Sequence, residues 1–123
     1  MTDPTATSAK PHPTLQVSNH VVHVVRAFTG RGPTPARTSI DGDLVSVLLR
    51  DTLTTGERSL VGDGRGQLVL DMRKAFQMTM GDELIAGVQD ILGRRVIAFM
   101  SDNHLDPDYA VEVFVLEPDG PEA

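Results

Sequence analysis

Residues 66–92, GQLVLDMRKAFQMTMGDELIAGVQDIL, decide the fold class. Leu68, Met72, Phe76, Met80, Leu84, Val88 and Leu92 recur at steps of four, and Ala75, Ile85 and Ile91 widen the stripe. That spacing predicts one long amphipathic helix of about 27 residues, ~40 Å at 1.5 Å per residue. Gly81 lies inside it, costs ~1 kcal/mol relative to alanine and permits a bend. Gly93 ends it, with Arg94 and Arg95 placed against the negative end of the helix dipole. The stripe reads as core or dimer interface. The polar face carries Asp71, Arg73, Lys74, Asp82, Glu83 and Asp90, which are mixed in sign. A helix lying on a membrane wants lysine and arginine there.

Beyond this helix the chain turns β-rich. RVIAFMS, 95–101, and YAVEVFVL, 109–116, read as strands joined by the turn residues DNHLDPD, 102–108. Before it, Asp41-Gly42 signals a turn and DLVSVLLR, 43–50, a strand. Val45, Val47 and Leu49 share one face of that strand; Leu44, Ser46, Leu48 and Arg50 share the other. Both faces are aliphatic, and one of them has no helix left to meet. Thr54-Thr55-Gly56-Glu57 has the spacing of a capping box opening a short helix, which the glycines of GDGRG, 62–66, interrupt. LQVSNHVVHVVRAF, 15–28, puts Val17, Val21, Val24, Val25 and Phe28 on one helical stripe. Its valines favour strand, but VVHVV has no period-two alternation, so a helix is expected, stopped at Gly30 and Pro33.

The expected architecture is a two-layer α+β domain over residues 14–116, in the order α-β-α-α-β-β. A small three-stranded sheet is packed by the N-terminal helix and the long helix. Residues 1–13, rich in Thr, Pro, Ser and Ala, read as a disordered tail, and 117–123 as a shorter flexible one. With apolar residues on both sheet faces, a homodimer is expected to cover the second.

Composition narrows the function. The chain has 123 residues, a net charge of −6 and no cysteine. A general attraction to nucleic acid or anionic lipid is not expected, and thiolate chemistry and disulfides are excluded. No apolar run approaches the ~20 residues that span a bilayer, and MTDPTATSAKPHP has no apolar core of a secretory signal. These features point to a cytoplasmic protein that does not insert into the membrane.

Chemistry-bearing residues are few. Gly30-Arg31-Gly32 and the Gly-Arg-Gly around Arg65 offer free backbone amides and a guanidinium fork, which together suit an anion or a partner protein. Neither has the lysine and hydroxyl of a phosphate loop, and each also reads as a helix stop or break. Arg31 has a structural alternative, pairing with an acid such as Glu57. His20 and His23 share a helix face but supply two of the four ligands of a structural metal site. Asp102, Asn103, Asp106 and Asp108 lack the register of a calcium loop and read as turn residues. His104 among them is a conceivable general base without a visible partner. No cofactor and no catalytic set is expected.

Taken together, GRGP at 30–33, LTTGE at 53–57, GRGQLVLDMRKAF at 64–76, DILGRRV at 90–96 and VEVFVLEP at 111–118 resemble the bacterial MpsC-like family over about residues 20–116. The matching positions are Gly30, Arg31, Gly32, Pro33, Leu53, Thr54, Glu57, Gly66 and Arg73. The glycine-rich 62–66 departs from the more continuous helix of such proteins. The resemblance implies association with a sodium-translocating, membrane-potential-generating system whose membrane components are linked to bicarbonate uptake. It carries no catalytic residues across. The function expected is that of a non-catalytic accessory or regulatory homodimer contacting a membrane transport subunit. The alternatives are a small-anion-binding module using the Gly-Arg-Gly loops and, last, a small His/Asp enzyme.

Overall fold

A computed structural model of the chain describes residues 11–30 and 34–118. The N-terminal segment is helical, as its stripe requires. Helix α1 (Pro13–Thr29) starts with proline at a position where its fixed φ fits the first turn. His12 Nδ1 accepts from the Thr14 amide at 3.1 Å. Gly30 ends the helix with φ 71°, a left-handed conformation that glycine takes without a Cβ clash, and its N–H donates to the Arg26 carbonyl at 2.9 Å.

The sheet has four strands, β1 (Ala36–Asp41), β2 (Leu44–Arg50), β3 (Val96–His104) and β4 (Tyr109–Leu116), in the spatial order β1-β2-β4-β3, all antiparallel. Helices α2 (Thr55–Gly62) and α3 (Gly66–Leu92) lie between β2 and β3 in sequence. This corrects the three-stranded expectation: the order is α-β-β-α-α-β-β. The missed strand, ARTSID, is an edge strand. Ala36, Thr38 and Ile40 are half-buried towards α1, and Arg37, Ser39 and Asp41 point away. Half its positions are polar and its apolar ones are modest, so it reads as loop. Asp41-Gly42 is the start of a tight hairpin connection, with Gly42 at φ 59°.

Helices α1 and α3 pack on one face of the sheet. The core joins Val17, Val21, Val24 and Val25 of α1 to Met80, Leu84 and Val88 of α3. Val45, Val47 and Leu49 of β2, with Ala110, Phe114 and Leu116 of β4, meet them from the sheet. Phe99 packs beside Phe114 with ring centroids 5.1 Å apart. The long helix has the expected length, 27 residues, but its stripe is only partly the buried face. Each step of four overshoots a helical turn by about 40°, so seven such residues cannot share one side. Leu68, at the start, is 53% exposed, whereas Val69 and Arg73 turn inward. At the other end Arg94 leaves the helix terminus, pairs with Asp43 at 2.8 Å and donates to the carbonyls of Gly42 and Glu117.

The two interior glycines of α3 differ in what surrounds them. A Cβ at Gly81 would stand 3.6 Å from the Phe99 ring, an ordinary contact; at Gly87 it would stand 2.0 Å from His20 Nε2. His20 fills that notch and donates to the carbonyls of Glu83 at 3.1 Å and Leu84 at 3.2 Å. Gly81→Ala is therefore expected to stabilise by up to ~1 kcal/mol through helix propensity. Gly87→Ala is expected to destabilise by ~1–3 kcal/mol and to become favourable once His20 is also alanine. Urea denaturation of the three variants measures both signs.

Candidate functional site

Polar chemistry gathers beneath the start of α3. Thr54 caps α2: its hydroxyl accepts from the Glu57 amide at 3.1 Å, and Glu57 Oε1 accepts from the Thr54 amide at 2.8 Å. The same carboxylate receives a two-pronged bond from Arg73, Nε to Oε2 at 2.7 Å and Nη2 to Oε1 at 2.5 Å. Both side chains are 5% exposed. Arg73 also donates to the Thr52 carbonyl at 2.7 Å and to the Thr52 hydroxyl at 3.3 Å. That hydroxyl donates onward to Asp108 Oδ1 at 3.1 Å, while Asp108 Oδ2 accepts from the Leu53 amide at 2.9 Å. One chain of bonds thus ties α3 to the segment after β2 and to the β3–β4 turn. Asp108 is a staple in that turn, with its side chain 8% exposed.

Burial pushes the Glu57 carboxyl upward, but bonds from Arg73 and Thr54 and the guanidinium charge outweigh it, so it titrates below its ordinary value. Glu112, on the helix-facing side of β4, is the opposite case. It is 4% exposed, and its Oε1 has no hydrogen-bond partner among the described residues. Burial raises it to about 7, against small downward pulls from Ser101, its cross-strand partner, and from Arg73. A void of about 10 Å3 lies among Glu112, Arg73, Gln77, Thr52 and Asn103.

The second feature is the sheet face that the helices leave open. Residues opposite one another in register form rows across it. One row is Ser39, Ser46, Val113 and Met100; the next is Arg37, Leu48, Val111 and Asp102. Leu44 and Val115 extend the aliphatic surface on one side, and Arg50 and Tyr109 border it on the other. Leu44 is 45% and Met100 53% exposed. A depression of about 300 Å3 opens at the Arg37, Arg50 and Tyr109 corner.

The residues singled out in the sequence fare differently. Gly30 is a helix cap. Arg31, Gly32 and Pro33 lie outside the described residues, as do most of the two expected tails. Arg65 precedes α3 and pairs with its neighbour Asp63 at 3.3 Å, both well exposed. Glu57, offered in the sequence as one acid for Arg31, is paired with Arg73. The sequence puts Arg73 on the polar face of α3, yet its spacing of four from Val69 and seven from Met80 marks the buried side. His20 is a helix–helix buttress, bonded to the Glu83 and Leu84 carbonyls of α3. His104 Nδ1 lies 2.7 Å from the Pro107 carbonyl at the hairpin end, beside a shallow groove of about 220 Å3. Thr54, Glu57 and Arg73, three of the positions carrying the family resemblance, meet in one buried cluster.

A family model described as "Na+-translocating membrane potential-generating system (MpsC)" matches residues 13–118. No curated protein and no solved structure matches the chain.

Arg73→Met is expected to cost ~3–5 kcal/mol because it leaves Glu57 charged and unpaired; adding Glu57→Gln should recover part of that. Urea denaturation at pH 7 reads both. Glu112 holds its proton more tightly folded than unfolded, so stability falls as pH rises. The penalty is absent below pH ~4, where both states are protonated, and complete above ~7, on the order of 3 kcal/mol. Glu112→Gln should therefore melt higher than the wild type at pH 8 and equal to it at pH 4.

Proposed function

The chain belongs to the MpsC family, and we propose on that premise that it is a non-catalytic accessory protein of a membrane ion or bicarbonate transport system, acting as a homodimer through protein contacts. The open sheet face carries this proposal. Aliphatic side chains on the solvent side of a sheet mark a surface that another protein covers. Leu44, Leu48, Val111, Val113, Val115 and Met100 form one such continuous surface. Among the described residues no helix is long and apolar enough to cross a membrane, and the proposed engagement with membrane subunits is by docking. The buried Arg73–Glu57 cluster is architectural in this account, since its donors and acceptors are spent on one another.

Affinity capture from crosslinked cells is expected to recover a membrane transport component together with a second copy of the chain. Recovery of neither contradicts the proposal. Light scattering of the purified protein is expected to give twice the chain mass, and the mass of one chain at every concentration contradicts the homodimer.

A further inference from the structure

We infer that the open sheet face is covered by a second copy of this chain, docked about a two-fold axis that runs parallel to the strands. This rests on the homodimer proposed above and specifies its geometry. Facing sheets prefer aligned strands, and two symmetric arrangements provide that. With the axis along the strands, β1 covers β3 of the partner and β2 covers β4, and the rows stay in step. With the axis across the strands, each strand covers its own copy run in reverse.

The charges separate the two. Arg37 and Asp102 stand at opposite ends of a single row. With the axis along the strands, Arg37 faces the partner's Asp102, and symmetry repeats the pair at the other edge. Between these pairs Leu48 faces the partner's Val111 and the reverse. In the next row Arg50 lies over the partner's Tyr109, a cation on an aromatic face. With the axis across the strands, Asp102 falls on Met100, Arg50 on Leu44 and Arg37 on Ser39. That arrangement leaves Asp102 and Arg50 on apolar side chains without a counter-charge. Moved by one row it sets Arg37 against the partner's Asp41, but it then lays Asp102 on Ala98 and covers one row fewer. Along the strands the unmatched charge is Asp41, over the partner's Ala98, while Arg37, Asp102 and Arg50 all find partners.

Within the described residues these charges lack a counter-charge, and Asp102 is held only by the Asn103 amide at 2.9 Å. Arg58, Arg65, Arg73, Arg94 and Arg95 each pair with an acid of their own chain. Among the described residues Arg37, Arg50 and Asp102 are in no ion pair. Four strands at ~4.8 Å spacing and about seven residues at ~3.4 Å make a face of roughly 450 Å2. Two such faces cover about 900 Å2, close to the ~1,000 Å2 that a specific interface needs. An interface of that size has little apolar surplus, so two charge pairs weigh heavily in its orientation.

Sedimentation equilibrium of Arg37→Asp, Asp102→Arg and the double variant tests this. Each single reversal is expected to weaken the dimer at least tenfold at low salt, and the double reversal to restore it. The chain has no cysteine of its own, so Arg37→Cys and Asp102→Cys give a second readout. A short bismaleimide should join the two variants when they are mixed and neither one to itself. A stable dimer indifferent to the reversals, or a crosslink within Arg37→Cys alone, overturns this geometry and leaves the homodimer standing. A wild-type protein that never dimerises overturns the homodimer as well.

Discussion

The governing constraint is that a four-stranded sheet has two faces and the helices among the described residues cover one. Antiparallel sheets of small domains usually solve this by alternating apolar and polar residues along each strand. Strands β2 and β4 depart from that pattern. Val45, Val47 and Leu49 face the helices, but Leu44 and Leu48 face away; Phe114 faces inward, but Val111, Val113 and Val115 face outward. Each buried aliphatic side chain contributes ~1.5–3 kcal/mol. Leaving the second set in water forgoes a comparable gain that association recovers.

The buried pair of Arg73 and Glu57 holds the other half of the architecture. Two ions in an apolar surround cost several kcal/mol in lost hydration, and only excellent geometry offsets that. Here the guanidinium meets the carboxylate with two parallel bonds and spends its remaining donors on Thr52, while Glu57 also caps α2. Net stabilisation is modest, but orientation is well determined. The cluster fixes where α3 begins, how the chain leaves β2 and, through Asp108, where β4 starts. Since β4 pairs with both β2 and β3, that placement supports the register in which Arg37 and Asp102 share a row.

Local chemistry was legible in the sequence, and distant chemistry was not. The Thr54–Glu57 box was readable because both partners lie within one helical turn. The Glu57–Arg73 bond spans sixteen residues and two helices, and Arg73 looked solvent-facing because the step-of-four stripe was carried too far around α3. Helix α1 was readable despite its valines, since a strand there would have required alternation that VVHVV lacks. Strand β1 was hidden by its own role: an edge strand with one solvated face needs few large apolar residues. The doubly apolar strand β2 was visible at once, and with it the prospect of a partner. The placement of opposite charges at the ends of one row emerged only from the four-stranded register, which the missing β1 had concealed.

Solvent access to the outward methyl groups tests the central claim most directly. In nuclear magnetic resonance spectra of the protein at high concentration, a soluble paramagnetic probe should leave the methyls of Leu48, Val111 and Val113 as sharp as those of Val45 and Leu84 in the core. The exposed methyl of Met78 on α3, 82% accessible, should broaden strongly under the same conditions. Broadening of Leu48, Val111 and Val113 to the extent seen for Met78, at every concentration reached, would show that the open face stays wet and would contradict the account.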